Sequence, residues 1–399
     1  MIPETSHLFR VPLLDPKQHA IGYKLAWQKG GEDSGIPAEA EAHLQALVAA
    51  GVRDITSGLL FVDANPAALS AETLASMLPE TTVWILTPGD LANAGDLKLA
   101  ASLRERGFGL ALRGANLAFL KVNEGRLSAL THVLIDFDHP DLAALLGYAR
   151  LRSPSLSVIV EKIPDWQVFE SCAALGASGF FEKLCVAPRA IKPQEQLGPQ
   201  AQQILQLMQM VQGDADIRHV EKVLKSDVTL SYKLLRYINS AGFGLEVRIE
   251  SPRHAVSMLG YAPLFRWLLL LLARTHTTGF SPALMQAAMI RGRFAELLGQ
   301  GFLSRREAEN LFVVGMFSFL DRLLGIPIQK VLSQLMLPEA VEQALRSRDG
   351  VYGPVLALAE ACEWEDGRTA DLAKALSMTV THVNQAHLSA LVWAQNIKL

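Results

Sequence analysis

Short apolar runs alternate with stretches of helical periodicity through the first half of the chain. The runs are GLLFVD (58–63), TVWILT (82–87), FGLALR (108–113), HVLIDF (132–137) and LSVIVEK (156–162). Helical spacing covers residues 37–51, 94–107, 141–151 and 164–176. Strands that alternate with helices are typical of βα units around a parallel sheet buried on both faces. The pattern predicts an α/β fold, a (β/α) barrel whose completeness stays open, with its chemistry at the carboxyl ends of the strands.

The second half of the chain shows helical periodicity throughout. The predicted helices cover 201–212, 217–226, 229–240, 251–260, 263–274 and 310–325. Three prolines and a glycine among polar residues mark a linker before them. We therefore predict a barrel over residues 1–190, a linker over 191–200 and an all-α domain over 201–399.

Composition narrows the class of protein. Half of the residues are apolar, 19% are charged and the formal net charge is −3, which excludes extended disorder and gives the whole chain no nucleic-acid signature. The cysteines Cys172, Cys185 and Cys362 form neither a CxxC pair nor a disulfide framework. No secretory signal is evident, and the apolar run 267–273 is too short to span a bilayer. These features predict a cytoplasmic protein without a membrane partner.

The opening segment FRVPLLDPKQHAIGYKLAWQ (9–28) resembles the first strands of EAL domains, the barrel phosphodiesterases that hydrolyse cyclic di-GMP. The arginine-proline strand, the turn on Asp15 and the Gly22-Tyr23 pair match that family. Where the family has its first metal-binding glutamate, this chain has Lys24, whose ammonium has no lone pair for a cation. The resemblance therefore implies an EAL-type barrel with a degenerate site.

Ten positions of this chain fall where the resemblance implies functional residues. They are Lys24, Gln28, Asp63, Trp84, Arg113, Gly114, Leu134, Asp136, Glu161 and Pro164. Only Asp63, Asp136 and Glu161 carry carboxylates, whereas metal-assisted phosphodiester hydrolysis needs several carboxylates to hold its cations. We therefore predict no metal, no other cofactor and no catalytic residue in the barrel.

Residues 204–273 resemble the HDOD domain, a helical signalling module related to the HD phosphohydrolases. Its signature covers DVTLSYKLLRYINSA, followed by an apolar helix. The signature positions in this chain are Asp227, Asn239, Ser240, Gly260 and Gly315. The resemblance implies that the all-α domain is of the HDOD type.

An HD phosphohydrolase carries a His-Asp pair on the helix after its conserved glycine, which is Gly315 here. The resemblance puts Ser318 and Phe319 at the two pair positions, and the sequence contains no His-Asp dipeptide. The histidines also lack HxxxH and HExxH spacing. We therefore predict no metal site in the helical domain either.

Together the two resemblances predict a non-catalytic signalling regulator that binds other signalling proteins, in a pathway linked to cyclic di-GMP. Its apolar helices are compatible with a homodimer. One alternative is a sensor whose barrel binds cyclic di-GMP or a relative without hydrolysis, through Lys24, Arg113 or Arg10. The other is nucleic-acid binding through residues 218–293, where eleven basic and four acidic residues give a net charge of +7. The low charge of the whole chain argues against nucleic acid.

Overall fold

A computed structural model describes most of the chain. The described residues are 7–27, 45, 58–64, 66–91, 94–114, 116–122, 129–152, 155–184, 198–239, 249–273, 282–333, 337–363 and 367–396. The predicted helix over 37–51 and the predicted linker over 191–200 lie largely outside them.

Eight strands form the first half of the fold. They are β1 (Leu8–Leu14), β2 (Ala20–Trp27), β3 (Leu59–Val62), β4 (Thr82–Leu86), β5 (Gly109–Arg113), β6 (His132–Asp136), β7 (Ser157–Glu161) and β8 (Gly179–Phe181). The strands close into a barrel in chain order. β1 runs antiparallel to both β2 and β8, and the other neighbours are parallel. The predicted α/β barrel is confirmed, and it is closed.

Alternation along the strands fills the barrel with apolar side chains. The interior cluster consists of Leu13, Phe61, Val83, Ile85, Ala111, Leu134, Ile159 and Phe181. Because successive strand residues point to opposite faces, the neighbours of these residues in sequence point outward. The interior is therefore a packed core rather than an open channel.

Helices follow the parallel strands. They are α1 (Ala71–Ser76), α2 (Ala94–Glu105), α3 (Leu117–Val122), α4 (Leu142–Arg152) and α5 (Trp166–Ala174). Asp165 starts α5 by accepting a hydrogen bond from the Val168 amide at 2.8 Å. The predicted helices at 94–107, 141–151 and 164–176 are thereby confirmed in kind.

The second half is helical, as predicted. Its helices are α6 (Pro199–Gln212), α7 (Ile217–Ser226), α8 (Val228–Ile238), α9 (Pro252–Leu259), α10 (Tyr261–Ala273), α11 (Pro282–Gly299), α12 (Arg305–Phe317), α13 (Leu320–Leu324), α14 (Ile328–Leu332), α15 (Glu339–Ser347), α16 (Gly353–Ala361), α17 (Thr369–Ala375) and α18 (Val380–Asn396). The prediction of one helix over 310–325 is wrong. The chain leaves α12 after Phe317, and the hydroxyl of Ser318 donates to the Gly315 carbonyl at 2.6 Å as the helix ends. Among the helices in the described ranges, none is long and apolar enough to cross a bilayer.

Two compact units emerge from the contacts of the chain. The first contains Met1–Pro188, Ser281–Gln286 and Leu358–Val392, and the second contains Arg189–Phe280, Ala287–Ala357 and Trp393–Leu399. These units are discontinuous in sequence, unlike the continuous domains 1–190 and 201–399, which stay a prediction. Residues 358–392 pack with the barrel.

Candidate functional site

The mouth of the barrel collects polar side chains at the carboxyl ends of the parallel strands. Lys24 lies near the end of β2, Asp63 directly after β3, and Arg113 and Glu161 at the ends of β5 and β7. Asp63, Arg113 and Glu161 each lie two residues after an interior residue, so strand alternation directs them inward. Four positions implied by the EAL resemblance therefore meet at one end of the barrel.

These four side chains form one chain of ion pairs. The Lys24 ammonium contacts Glu161 Oε1 at 2.5 Å, and Arg113 Nε donates to Glu161 Oε2 at 3.2 Å. The other end of the Arg113 guanidinium donates to Asp63 Oδ2 at 2.5 Å. Both oxygens of Glu161 are therefore used by cations that belong to the protein itself.

Electrostatics at the mouth follow from this arrangement. The side chain of Glu161 is 8% exposed, against 16% for Lys24 and 31% for Arg113. Burial by itself would lower the pKa of Arg113, but the carboxylates of Glu161 and Asp63 outweigh burial and raise it. Arg113 stays charged, and the two cations balance the two carboxylates.

A second ion pair lies near the first. Lys162 Nζ contacts Asp136 Oδ2 at 2.5 Å, and this hydrogen bond raises the pKa of Lys162. The backbone of Lys162 has a φ of +59°, which is rare for a residue with a side chain. Asp136, the third carboxylate that the sequence singled out, is therefore also paired with a lysine.

The remaining positions from the EAL comparison lie elsewhere. Trp84 is fully buried on the outer face of β4, between the inward residues Val83 and Ile85. Leu134 belongs to the interior core. Gly114 follows β5 with a φ of +74°, and Pro164 is exposed after β7. Gln28 lies outside the described residues. Neither Trp84 nor Leu134 joins the mouth.

A divalent cation does not fit the residues at the mouth. Cations in such sites are held by oxygen ligands that carry excess negative charge. Here the nearest carboxylates already hold Lys24 and Arg113, and those groups would repel a metal ion. Across the described residues, no three His, Cys, Asp or Glu side chains cluster so as to hold a metal.

The helical unit brings α11 and α12 into close contact beside the predicted HD positions. A Cβ added at Gly315 would lie 2.7 Å from both the Arg291 carbonyl oxygen and the Gly292 Cα. Only a hydrogen atom fits between the two backbones there. Gly315 is therefore explained by helix packing.

Arg291 occupies the space next to the two HD positions. It is 2% exposed, its guanidinium donates to Ser318 Oγ at 2.8 Å, and it lies 3.7 Å from the centroid of the Phe319 ring. Phe319 itself is fully buried. The sequence comparison missed Arg291, although the two arginines, Arg291 and Arg293, within the largely apolar segment AAMIRGRFAELL were a usable signal.

The other HDOD signature residues shape helix ends. Asp227 accepts hydrogen bonds from the Thr229 and Leu230 amides, starting α8. Asn239 ends α8, and its amide group bonds both the amide and the carbonyl of Ile249. Gly260 ends α9 with a φ of +76°. Ser240 lies outside the described residues. The side chains of Asp227 and Asn239 therefore hydrogen-bond to backbone groups of their own unit.

The basic stretch 218–293 is partly neutralised within its own unit. Arg266 pairs with Glu296 at 2.5 Å, and Arg293 contacts the same carboxylate at 2.8 Å. Arg236 and Arg253 are exposed, and Arg248 lies outside the described residues. The free positive charge of this stretch is therefore smaller than its composition suggests.

Comparisons with known proteins give relatives for the whole chain. Residues 197–347 match the HDOD domain. The chain is 27% identical to the cyclic di-GMP phosphodiesterase CdgJ of Vibrio cholerae, over 98% of this chain and 93% of that protein. It is 23% identical to YuxH of Bacillus subtilis, over 97% of this chain and 98% of that protein.

Solved structures match a part of the chain. The PaMucR phosphodiesterase in complex with c-di-GMP shares 18% identity, covering 44% of this chain and 92% of that one. Its TM-score is 0.34, too low to support an argument about this chain. The chain thus has a closed barrel in its first half and a match to the HDOD domain at residues 197–347, in the order that the sequence predicts.

Proposed function

We propose that this protein is a non-catalytic regulator in a cyclic di-GMP pathway and acts by binding other signalling proteins. The pathway is suggested by its likeness to CdgJ, whose name describes a cyclic di-GMP phosphodiesterase. The observation that carries the proposal is the ion-pair chain of Lys24, Glu161, Arg113 and Asp63 at the barrel mouth. The proposed function differs from the one that the name of CdgJ describes, because we propose that this chain does not hydrolyse the nucleotide.

Charge balance is the physical reason for that departure. Metal-assisted hydrolysis needs cations that activate water and offset the charge of the phosphate. A mouth with equal numbers of cationic and anionic side chains offers no net attraction for them. Because Glu161 is almost fully buried, its pairing with Lys24 and Arg113 is poorly screened by solvent. Releasing it to a metal would leave two cations beside that metal.

The helical unit supports the same proposal independently. Arg291 brings a buried positive charge to the place where the resemblance expects metal ligands, and Phe319 offers no lone pair to a cation. The packing of α11 against α12 persists around these residues. A domain that keeps its framework without ligands suits recognition of other proteins.

Retained binding of a cyclic dinucleotide is the second candidate function. The Arg113 guanidinium is partly exposed at the mouth, and Lys24 lies 4.9 Å from the centroid of the Phe181 ring. Arginine and lysine can both bind phosphate, which gives this candidate a specific basis. Calorimetry of the purified chain with cyclic di-GMP separates it from a purely protein-binding role, since only a sensor releases or absorbs heat of binding.

Hydrolysis of cyclic di-GMP is the activity to test. Purified protein incubated with the nucleotide and either Mg²⁺ or Mn²⁺ should give no linear product above a control with chelator. CdgJ, prepared in parallel, serves as the comparison for the assay. Metal-dependent product formation that disappears in the variant Glu161→Gln would overturn the proposal, because it would place the activity at this mouth.

A further inference from the structure

The outer side of β1 is covered by a segment that lies beyond the HDOD match. The match ends at residue 347, and residues 358–392 pack in the same compact unit as the barrel strands. The first strand is antiparallel to its neighbours, so its start lies at the mouth of the barrel, opposite the end of β2. The covering segment is therefore placed to act on the mouth.

Specific polar contacts join α18 to this strand. The Leu8 amide donates to Asn384 Oδ1 at 2.9 Å, and the Arg10 guanidinium contacts His387 Nε2. Asn384 and His387 are three residues apart, so they lie on the same face of the helix. Two neighbouring sites on the outer side of β1 are thus held by one helix face.

A third contact completes a buried polar cluster. Arg10 Nη2 lies 3.6 Å from Glu363 Oε1, before α17. Arg10, Glu363, Asn384 and His387 are each at most 8% exposed. Burial and the charge of Arg10 both lower the pKa of His387, so its imidazole is neutral and Nε2 can accept a hydrogen bond from the Arg10 guanidinium. Hydrogen bonds in so dry a cluster are strong and directional.

The inner side of the same strand lines the barrel mouth. Alternation directs Phe9 and Val11 inward, opposite to Leu8 and Arg10. The centroid of the Phe9 ring lies 5.0 Å from the Lys183 ammonium, and Val11 is the register partner of Lys24. A shift of β1 would therefore move the strand position beside the Lys24–Glu161 pair.

We propose that residues 358–363 and 367–392 form a strap that fixes β1 from outside and thereby sets the geometry of the barrel mouth. Release of the strap would loosen the Lys24–Glu161 pair, so the C-terminal segment is a regulatory element of the barrel. This inference is independent of whether the mouth hydrolyses, binds or ignores a nucleotide.

Two chemical reporters test the strap in the full-length protein. Cys362 is fully buried next to Glu363, so its thiol reports opening of the strap in a background with Cys172→Ser and Cys185→Ser. Lys24, held by Glu161, reports the mouth through its rate of acylation, and the exposed Lys162 on the same mouth serves as the reference lysine.

The test variant is Asn384→Ala with His387→Ala. The matched control is Gln385→Ala with Ser389→Ala, which changes two exposed residues of the same helix. Loss of two buried hydrogen bonds should raise the Cys362 rate by about tenfold or more. The acylation rate of Lys24 should rise relative to that of Lys162, and the control should match the unmodified protein.

Three results would overturn the inference. Faster Cys362 labelling with an unchanged Lys24 rate would show that the segment holds only itself. Unchanged rates at both reporters would show that these contacts do not restrain it. Equal acceleration in the control would assign the effect to helix α18 in general. If the double variant fails to fold, Asn384→Ala alone, which leaves the Arg10 partners in place, provides the same comparison.

Discussion

Replacing Glu161 by glutamine is expected to lower the free energy of unfolding of the barrel unit by about 2 kcal/mol. Glutamine keeps the size of the side chain but removes the charge that Lys24 and Arg113 share. Two cations then lie beside a neutral side chain, although Asp63 still contacts Arg113. The partial exposure of Arg113 limits the loss, because water screens its charge. Hydrogen exchange of the strand amides measures the free energy of unfolding of the barrel unit by itself. A global unfolding curve does not isolate it, because a chain of two units need not unfold in one step.

The pair of Asp136 and Lys162 supplies the control. Asp136→Asn breaks an ion pair of the same 2.5 Å length, but the Lys162 side chain is 72% exposed. An exposed pair contributes little, so barrel exchange should not change measurably. If Glu161→Gln behaves like Asp136→Asn, the ion-pair chain is not a structural element of the mouth.

The second large effect is expected at Gly315. Gly315→Ala places a methyl group 2.7 Å from the Arg291 carbonyl oxygen and 2.8 Å from the Gly292 nitrogen. These are backbone atoms of a neighbouring helix, so both helices must separate. We expect a loss of about 3 kcal/mol, which exceeds the gain of about 1 kcal/mol from the helix propensity of alanine. Hydrogen exchange in α11 and α12 measures it.

Gly147→Ala is the matched control for this prediction. Gly147 also lies within a helix, α4, but nothing would lie within 4 Å of an added Cβ. Alanine there should be neutral or stabilising because it restricts the unfolded chain and favours the helix. Equal effects of the two substitutions would contradict the close crossing of α11 and α12.

Much of the fold could be predicted because buried strands and helices require apolar residues at characteristic spacings. The five apolar runs are all strands, since a parallel sheet covered on both faces requires uninterrupted apolar segments. Closure of the barrel could not be read from those runs. It depends on β1, whose antiparallel pairing with both β2 and β8 is a long-range property.

The mouth could be predicted in part. Strand-end positions brought Lys24, Asp63, Arg113 and Glu161 together, as the barrel rule implies. Their mutual pairing could not be foreseen, because side-chain partners across strands depend on register. Trp84 shows where such a prediction fails. Its neighbours Val83 and Ile85 point into the barrel, so an alignment error of one residue along β4 exchanges the interior for the outer face.

Contacts between buried polar residues that are distant in sequence were not predicted. The HD positions are adjacent to Arg291, which belongs to another helix, and Arg10 contacts residues more than 350 positions away. Periodicity records which face of an element is buried but does not name the partner of a buried charge. Such contacts depend on the packing of whole elements.

Titration of the purified protein with Mn²⁺ tests the central claim, that the barrel mouth holds its own cations in place of metal ions. Electron paramagnetic resonance reports the free hexaaqua ion directly, so bound Mn²⁺ appears as loss of that signal. We predict that the signal in the presence of protein equals the signal in buffer at every Mn²⁺ concentration. A stoichiometric loss of the free Mn²⁺ signal with the unmodified protein, but not with the variant Glu161→Gln, would contradict this claim.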